Sequence, residues 1–339
     1  MIQKNLPLVE QEFLDSMNNY IKDYKFANEE IVEELEKKIE EYTGSKHALC
    51  VNSATNAIFM CLSVFSSKKR DKNEIIIPNY GFPAASRVSF LLNLKLVPVD
   101  MEKEILSMNL QKVEKSINKK TLAVIHIESN GVVGNADKIK SICDEVFYIE
   151  DSAPSMIQRL NGVLAGTFGD VGIYSFSPTK PMCAGEGGVI ITNNDETYKD
   201  LKTLRHSSYN ETSTSLNFKL SPFLAAYLIP QVKMLEIVSE TREKIHKEYK
   251  KYLEVFEQEG STNRYGTIMY LSKNSKKIHE KLNKYGIDNR YKYYPLCYED
   301  KYPVSKEIRE EIIDLPLHHK LTPTQVKVIS TIVKVCENE

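Results

Sequence analysis

Two residues of this sequence are placed where they could handle a carbonyl compound and a charged ring. Lys180 lies between the segment Ser-Phe-Ser and the glycines of GEGG, and an amine in such a loop can form an imine with a carbonyl. Asp151 follows four apolar residues and Glu150, so it is predicted to stand at the end of a buried strand, where its carboxylate is partly desolvated. A desolvated carboxylate needs a cationic partner, such as a buried pyridinium nitrogen. Taken alone, each has a simpler explanation, because most lysines are solvated and Asp often caps a helix.

The start of a predicted helix offers a place for an anion. Ser53 follows a short apolar run and can cap a helix that begins with Ala54, Thr55 and Asn56. At a helix N-terminus, unpaired N–H groups and the helix dipole favour a negatively charged group such as phosphate. Taken alone, Ser53 is more simply an ordinary N-cap. Phe82 is either a core aromatic residue or a ring that stacks on a planar cofactor.

Seven short apolar segments predict the strands that position these residues. Apolar strands that alternate with helix-length segments indicate an α/β fold with a mostly parallel sheet and helices on both faces. In such a sheet, ligands bind outside the carboxyl ends of the strands, where the candidate residues and His126 stand, so one common site is predicted. The predicted strands cover residues 47–51, 74–77, 96–99, 122–126, 146–149, 171–176 and 188–192.

The predicted helices and connections complete this organisation. An amphipathic helix begins near Asn28, which can cap it, and Gly44 can end it. The last two strands are joined by SPTKPMCAGEG, which is too short for a crossover helix and therefore forms a hairpin or a functional loop. We predict a large domain over residues 1–235, including the N-terminal helical segment, and a smaller α+β domain over residues 236–339. Its predicted elements are helices at 236–256, 276–285 and 322–335 and a strand at 267–271.

Composition argues against several classes of function. The 339 residues include 45 Lys+Arg and 46 Asp+Glu, a formal net charge of −1, which argues against nucleic-acid binding as the main function. No apolar run approaches the roughly 20 residues that cross a bilayer, and the N-terminal segment lacks the apolar core of a signal peptide, so we expect a cytoplasmic protein without a membrane partner. Six scattered cysteines without a CxxC pair predict reduced thiols and no metal site.

Several motifs together resemble those of the DegT/DnrJ/EryC1/StrS family, in the same order along the chain. The resemblance runs from about residue 25 to the C-terminus. It implies pyridoxal-phosphate enzymes of the aspartate-aminotransferase fold (fold type I), with a three-layer large domain and a mixed, mostly parallel sheet. Most members are aminotransferases that act on keto-sugars linked to nucleotides. The motifs are SATNA from residue 53, IIIPNYGF from 75, IEDSA from 149, FGDVGIYSFSPTK from 168, GEGG from 185, NFKLS from 217 and LPLH from 315.

The resemblance implies roles for individual residues. Lys180 resembles the lysine that holds pyridoxal 5′-phosphate as an imine and moves the proton, and Asp151 resembles the acid that keeps the pyridine nitrogen protonated. Phe82 is similar to the aromatic residue that stacks on the ring. Asn217 matches an asparagine that reaches the phosphate from the neighbouring subunit, which implies a homodimer with active sites at the interface. The implied cofactor-binding residues are Ser53, Ala54, Thr55, Phe82, Asp151, Ala153, Ser175, Lys180 and Asn217.

The sequence also departs from the family pattern. Pro154 stands where many relatives carry a Gln that contacts the ring hydroxyl of the cofactor. Lys219 replaces an Arg, so a bidentate anion clamp is lost while the charge remains. Cys297 stands where a His near the sugar is common, and the segment of residues 257–290 is shorter than usual. These differences leave the cofactor chemistry in place and affect what can be inferred about the substrate.

Three functions therefore remain open from the sequence. The first is transfer of an amino group, by resemblance from L-glutamate, to a nucleotide-linked keto-sugar for surface polysaccharide or glycan. The second is the same reaction on a smaller keto or aldehyde compound, such as a phosphorylated one. The third is a cofactor-binding protein without transamination, or a dehydratase relative. Lys180 counts against the dehydratase, because relatives with that activity carry His in its place.

Overall fold

The computed structural model describes residues 1–22, 29–206, 215–262, 265–298 and 301–339. Its helices are α1 (Gln11–Lys22), α2 (Glu30–Thr43), α3 (Ala54–Lys68), α4 (Ala84–Leu91), α5 (Leu110–Ser116), α6 (Ala136–Ile142), α7 (Asp195–Arg205), α8 (Pro222–Lys250), α9 (Ser275–Lys284), α10 (Pro303–Glu311) and α11 (Pro323–Asn338). Its strands are β1 (His47–Val51), β2 (Glu74–Pro78), β3 (Lys95–Val99), β4 (Met101–Glu102), β5 (Ser107–Met108), β6 (Thr121–Ile127), β7 (Phe147–Asp151), β8 (Arg159–Leu160), β9 (Val163–Leu164), β10 (Val171–Ser175), β11 (Gly188–Thr192), β12 (Ile268–Leu271), β13 (Arg290–Tyr291) and β14 (Ile312–Leu315).

The large sheet is mixed and mostly parallel, as predicted. Its strand order is β1-β11-β10-β7-β6-β2-β3, and the strands from β10 to β3 run parallel. β11 runs antiparallel to both β10 and β1, so the connection that contains Lys180 returns the chain as a hairpin. Each of the seven predicted segments corresponds to a strand of this sheet, with bounds that differ by at most one residue at most ends.

Helices cover both faces of the large sheet. Along β1, Leu49 and Val51 belong to an apolar cluster with α3, α4 and α7, whereas Ala48 and Cys50 belong to a cluster with α2 and α8. This alternation is the period-2 pattern of a strand buried on both sides. The result is the expected three-layer arrangement, with the carboxyl ends of the parallel strands at one common edge.

Helix α8 differs from the prediction of a helix over residues 236–256. It begins at Pro222 and runs without interruption to Lys250. The first half of the helix is apolar and packs on the large sheet, whereas the second half is charged and packs in the C-terminal part. The predicted start was wrong because this change of composition falls inside one continuous helix. The predicted domain boundary at residue 235 therefore lies within α8, and the division into two domains stays a prediction.

The bounds of α2 also differ slightly from those predicted. Glu29 is its N-cap residue and makes no side-chain cap bond, and Asn28 lies outside the described residues. Gly44 ends the helix as predicted, with a left-handed φ of 72° that glycine adopts without strain.

A smaller antiparallel sheet with the order β12-β14-β13 forms in the C-terminal part. Its apolar cluster includes residues of α9, α11 and the end of α8. The first residues of the chain join this part, because Ile2 bridges Ile287 and the N–H of Leu317 donates to the carbonyl of Lys4. This placement differs from the predicted assignment of the N-terminus to the large domain. Among the described helices, none is both long and apolar enough to cross a membrane.

Candidate active site

A cavity of about 350 Å³ lies between the carboxyl edge of the large sheet and the small sheet. It brings together residues from the ends of β1, β7 and β10, from the hairpin loop that follows β10, and from β13 and β14. The predicted site residues that line it are Ser53, Ala54, Thr55, Phe82, Asp151, Ala153, Ser175 and Lys180. Asn217 belongs to a different cavity of the same chain, with Glu29 and Arg205.

The first turn of α3 lies at one end of the cavity. The Ser53 Oγ accepts a hydrogen bond from the N–H of Asn56 at 3.1 Å, so Ser53 is the N-cap that the sequence predicted. The first intrahelical bond joins the N–H of Ala57 to the carbonyl of Ser53 at 3.0 Å. The N–H groups of Ala54 and Thr55 therefore precede the helical ladder and are available to a phosphate, which the helix dipole also favours.

Gly188 leaves the space that this end of the cavity requires. It is the first residue of β11 and pairs with Val51 and Ser175 in the neighbouring strands. A Cβ at this position would lie 2.7 Å from the backbone nitrogen of Ala54 and 2.9 Å from the carbonyl oxygen of Tyr174. Any larger residue must push β11 away from the first turn of α3, so the backbone that would hold a phosphate depends on this glycine.

We therefore expect Gly188→Ala to weaken binding of pyridoxal 5′-phosphate at least about tenfold and to lower the free energy of unfolding by about 1–3 kcal/mol, because it overpacks a rigid backbone contact. Titration of the cofactor by absorbance and thermal unfolding measure the two effects. Gly162→Ala is the control for cofactor affinity: its φ of 83° makes Ala costly for stability, but its Cβ meets nothing within 4 Å and it lies outside the cavity, so it should lower stability without weakening cofactor binding. Unchanged cofactor affinity in Gly188→Ala would contradict this placement of the anion site.

Asp151 provides a buried negative charge at the centre of the cavity. It is the last residue of β7, is 3% exposed, and its Oδ1 accepts the N–H of Ala153 at 3.3 Å. Burial raises the pKa of Asp151 to about 6, against the opposing effects of the Ala153 hydrogen bond and the Lys180 charge. A carboxylate desolvated in this way is stabilised by a cation placed next to it, and a protonated pyridine ring supplies one.

The loop between β10 and β11 holds Lys180 in the cavity. The loop is closed at its base, where the N–H of Phe176 donates to the carbonyl of Gly187 at 3.0 Å and that of Ala184 donates to the carbonyl of Phe176 at 2.8 Å. Burial is the main reason why the pKa of Lys180 is lowered to about 8; the charge of Asp151 opposes this shift, and the nearby cations Arg290, Arg242 and Lys4 contribute to it. The amine is thus much closer to its reactive, neutral form than an exposed lysine would be.

This pKa predicts how fast the cofactor binds covalently at different pH values. Only neutral Lys180 attacks an aldehyde, so the rate should rise about tenfold per unit from pH 6 towards about pH 8 and then level off. Stopped-flow absorbance after mixing cofactor-free protein with pyridoxal 5′-phosphate measures this profile. A rate that keeps rising to pH 10, as for an exposed lysine, would contradict the environment described for Lys180.

Phe82 is not a core residue in the structure. It is 48% exposed, and its ring lines the cavity that contains Asp151 and Lys180. Of the two interpretations that the sequence left open, burial in the core is therefore excluded. A ring at the mouth of the cavity is free to stack on a planar ligand.

The cavity contains polar residues that the sequence did not single out. Lys4, Asn130, Arg290 and Asp314 line the side formed by the small sheet. Glu128 also lines the cavity, and burial together with the neighbouring charge of Glu150 raises its pKa. The sequence contained a signal for Asp314, because this residue follows two isoleucines and stands directly before the LPLH motif. It contained no signal for Lys4, which reaches the cavity because the N-terminus contacts the small sheet.

The three residues that depart from the family pattern lie in different places. Pro154 lines the cavity and brings no side-chain hydrogen-bond donor to it. Lys219 forms an ion pair with Glu29 at 3.2 Å, away from the cavity. Cys297 lines an adjoining groove with Phe82, and burial raises the pKa of its thiol to about 11, which makes it a poor nucleophile.

Comparison with known proteins agrees with this geometry. The sequence profile of the DegT/DnrJ/EryC1/StrS aminotransferase family matches residues 7–334. The chain is 24% identical to GDP-perosamine synthase of Vibrio cholerae, with 89% of this chain and 90% of the relative covered. It is 25% identical to UDP-2-acetamido-2-deoxy-3-oxo-D-glucuronate aminotransferase of Pseudomonas aeruginosa, with 88% of each covered.

Solved structures show the same fold. The PLP form of Spr1654 from Streptococcus pneumoniae superposes with a TM-score of 0.90 at 20% identity, covering 99% of both chains. The profile match spans nearly the whole chain, and the cavity offers the N-terminus of a helix, a buried acid and a lysine of lowered pKa, which fit pyridoxal 5′-phosphate. The chain belongs to the DegT/DnrJ/EryC1/StrS aminotransferase family, whose cofactor is pyridoxal 5′-phosphate.

Proposed function

We propose that this aminotransferase moves an amino group from an amino acid, with L-glutamate as the donor, to the ketone of a nucleotide-linked sugar in polysaccharide or glycan biosynthesis. The observation that carries the proposal is the meeting of Lys180, Asp151 and the α3 N-terminus in one cavity. The relatives from V. cholerae and P. aeruginosa support the substrate class, since their names specify GDP- and UDP-linked sugars.

Each residue has a definite task in this proposal. Bound pyridoxal 5′-phosphate would supply an electron-accepting ring for the transfer of the amino group. Ser53, Ala54 and Thr55 would hold its phosphate, and Asp151 would keep its ring nitrogen protonated. Lys180 would bind it covalently and, once released by a substrate amine, would take the proton from the substrate carbon and return it.

A groove beside the cavity supports an acceptor larger than the sugar alone. It has a volume of about 610 Å³ and shares Phe82 with the cavity. Phe90 and Tyr298, which are 79% and 45% exposed, also line it. Flat exposed rings of this kind can stack on a nucleotide base, which favours a nucleotide-linked acceptor over a small keto compound.

The reaction is tested in two steps. Purified protein loaded with pyridoxal 5′-phosphate is mixed with L-glutamate, and conversion of the bound cofactor to its amine form is followed by absorbance. The amine form is then mixed with keto-sugars linked to GDP or UDP and, separately, with small keto phosphates. Conversion with L-glutamate followed by reaction with a nucleotide-linked sugar supports the proposal, and reaction with the small compounds alone would contradict the substrate class.

We also propose a homodimer in which Asn217 completes the phosphate site of the partner subunit. Asn217 is exposed and does not line the cavity of its own chain, while the neighbouring Lys219 bridges Val51 near the α3 start. Mixing two variant proteins tests this role of Asn217. Protomers with Lys180→Ala should be inactive and protomers with Asn217→Ala weakly active, and mixed dimers should regain activity because one of their two sites is then complete. Equal activity before and after mixing would contradict it.

The cytoplasm remains the proposed location. All six cysteines are free, and Cys50, Cys61, Cys143, Cys183 and Cys336 are buried. Unpaired thiols are typical of a reducing compartment.

A further inference from the structure

A second cavity, with a volume of about 250 Å³, borders the loop that carries Lys180. Thr179 and Lys180 line both this cavity and the active-site cavity, so the two spaces meet at the loop. The other walls are residues 5–10 of the N-terminal segment, residues 234–242 of α8 and the residues that follow β14. We refer to this space as the second cavity, and the reaction described above does not use it.

The second cavity contains a positive charge that is not paired with a carboxylate. The charge belongs to Arg242 in α8, whose Nη1 donates a hydrogen bond to the carbonyl of Tyr265 at 3.3 Å. Within the described part of the chain, no Asp or Glu forms an ion pair with this guanidinium, and burial lowers its pKa to about 10. Arg242 therefore remains charged at neutral pH, and a desolvated charge without a partner is unfavourable. An anion that enters the cavity would remove this cost.

A buried histidine lines the same cavity and offers a further donor. His318 follows β14 and is 8% exposed, and neither of its ring nitrogens makes a hydrogen bond of normal geometry within the described residues. Burial lowers the pKa of His318, so its ring is neutral at neutral pH and carries one N–H donor. Because His318 and Arg242 both line a cavity of this size, one small ligand can reach both.

Much of the remaining lining is apolar, which indicates what kind of anion fits. A bare inorganic ion would leave this apolar surface in contact with water, whereas an apolar body attached to the anion would cover it. A single charge is sufficient to balance Arg242, and a planar carboxylate matches the fork of its guanidinium. Glu10 also lines the cavity, but it is exposed and weakens rather than prevents anion binding. The apolar residues are Leu6, Leu8, Met234, Ile237, Val238 and Leu317.

We propose that the second cavity binds a small aliphatic anion, with Arg242 and His318 as its polar contacts, and that this anion slows the attachment of pyridoxal 5′-phosphate to Lys180. The second part of the proposal rests on the proposed function, in which Lys180 holds the cofactor. The first part concerns a site outside the active-site cavity and stands without the proposed function.

The connection between the anion and Lys180 is electrostatic. Burial is the main reason for the lowered pKa of Lys180, and the charge of Arg242 contributes to it. An anion bound at Arg242 cancels this contribution, so more of Lys180 is protonated and unreactive at a given pH. By linkage, the anion binds more tightly while Lys180 is protonated. The other charges that act on Lys180 are those of Asp151 in β7, Arg290 in β13 and Lys4 in the N-terminal segment.

The remaining titratable groups of the second cavity do not hide this effect. They are His318, His319 and Glu10. Burial lowers the pKa of both histidines, which are therefore neutral above pH 7. Lys180, with a pKa of about 8, is thus the residue of this lining whose charge changes most between pH 7 and pH 9.

The binding test uses hexanoate as the probe and hexanamide as a probe of the same shape without the charge. Calorimetry is carried out on protein incubated with pyridoxal 5′-phosphate, so that the cofactor occupies the active-site cavity. Arg242→Gln removes the cation, Arg242→Lys keeps the charge without the fork, and Glu10→Gln removes an opposing charge. Lys244→Gln is the matched control, because Lys244 is an exposed cation of α8 outside both cavities. Arg290→Gln detects hexanoate that binds in the active-site cavity instead.

We expect Arg242→Gln to weaken hexanoate binding by roughly 10- to 100-fold, the range for a hydrogen bond between charged groups. Arg242→Lys should fall between this variant and the wild type, and Lys244→Gln and Arg290→Gln should stay within about threefold of the wild type. Glu10→Gln should bind hexanoate at least as tightly as the wild type, because a repulsive charge is lost. Hexanamide should bind the wild type at least about tenfold more weakly than hexanoate.

Stopped-flow absorbance with cofactor-free protein tests the effect on Lys180. Saturating hexanoate should move the midpoint of the pH profile of cofactor attachment upward by roughly 0.3–1 pH unit, which slows attachment at pH 7 about two- to tenfold. The rate at pH 10 should be unchanged, since Lys180 is then neutral with or without the anion. Arg242→Gln should show a raised midpoint without hexanoate and no response to it.

Several results would overturn the anion site: no measurable binding of hexanoate, equal binding in Arg242→Gln and the wild type, equal binding of hexanamide, or binding that depends on Arg290. If Arg242→Gln does not fold, Glu10→Gln and hexanamide decide, and weaker hexanoate binding by Glu10→Gln would count against the site. Binding that depends on Arg242 but leaves the pH profile unchanged would overturn the connection to Lys180. If the wild type forms no covalent link with the cofactor, the proposed function fails, while calorimetry still decides the anion site.

Discussion

Replacing Lys180 by Ala is expected to abolish transamination, with a fall in rate of more than about 10³-fold, because the variant loses both the nucleophile and the group that moves the proton. Pyridoxal 5′-phosphate should still bind, since the α3 N-terminus and Asp151 are unchanged. The variant should therefore retain cofactor through filtration at high protein concentration but release it on denaturation in unmodified form. Single-turnover absorbance with L-glutamate measures the loss of rate.

Lys199→Ala is the matched control for this variant, because Lys199 is an exposed lysine of α7 outside the cavity. It should behave as the wild type in rate, cofactor content and thermal stability. Turnover by Lys180→Ala within tenfold of the wild type would remove Lys180 from the reaction. A variant that has lost the cofactor entirely would show instead that the noncovalent contacts are weaker than the cavity indicates.

Replacing Asp151 by Asn is the second change with a large expected effect. An uncharged amide cannot stabilise a protonated ring, so the rate of transamination should fall about 10²- to 10³-fold, in line with the loss of one partner of a buried ion pair. Cofactor affinity should fall as well. Single-turnover rates and cofactor titration at pH 7.5 measure both quantities, and Asp144→Asn, at an exposed aspartate, is the control.

The pH dependence of this effect follows from the pKa of Asp151. Burial raises that pKa to about 6 in the protein without cofactor, so the wild-type carboxylate is charged above pH 6 and becomes neutral below it. The difference in cofactor affinity between the wild type and Asp151→Asn should therefore shrink as the pH falls from 7.5 to 5. A difference that stays constant over this range would show that charge is not what Asp151 contributes.

The large sheet could be predicted because its signals are local. Each strand is a short, mostly apolar run, and β7 and β10 end at Asp151 and Ser175, which the cavity then brings together. The capped start of α3 at Ser53 is also a local signal. The resemblance to the family motifs then indicated a role for each of these residues.

The rest could not be predicted because it depends on contacts between distant segments. Helix α8 continues past residue 235 since its two halves pack on different clusters, and a change in composition does not reveal that. Lys4 is an ordinary lysine in the sequence and becomes part of the cavity through the bridge between Ile2 and Ile287. Arg290 and Asp314 become neighbours only when β13 pairs with β14.

The covalent attachment of pyridoxal 5′-phosphate to Lys180 is the most direct test of this account. Purified protein is incubated with the cofactor, reduced with borohydride, digested and analysed by mass spectrometry. We expect the mass of the reduced cofactor on the peptide that contains Lys180, in about one copy per chain, and no label there in Lys180→Ala. Absence of the label from Lys180 in the wild type, or its presence mainly on another lysine, would contradict the assignment of this cavity as the active site.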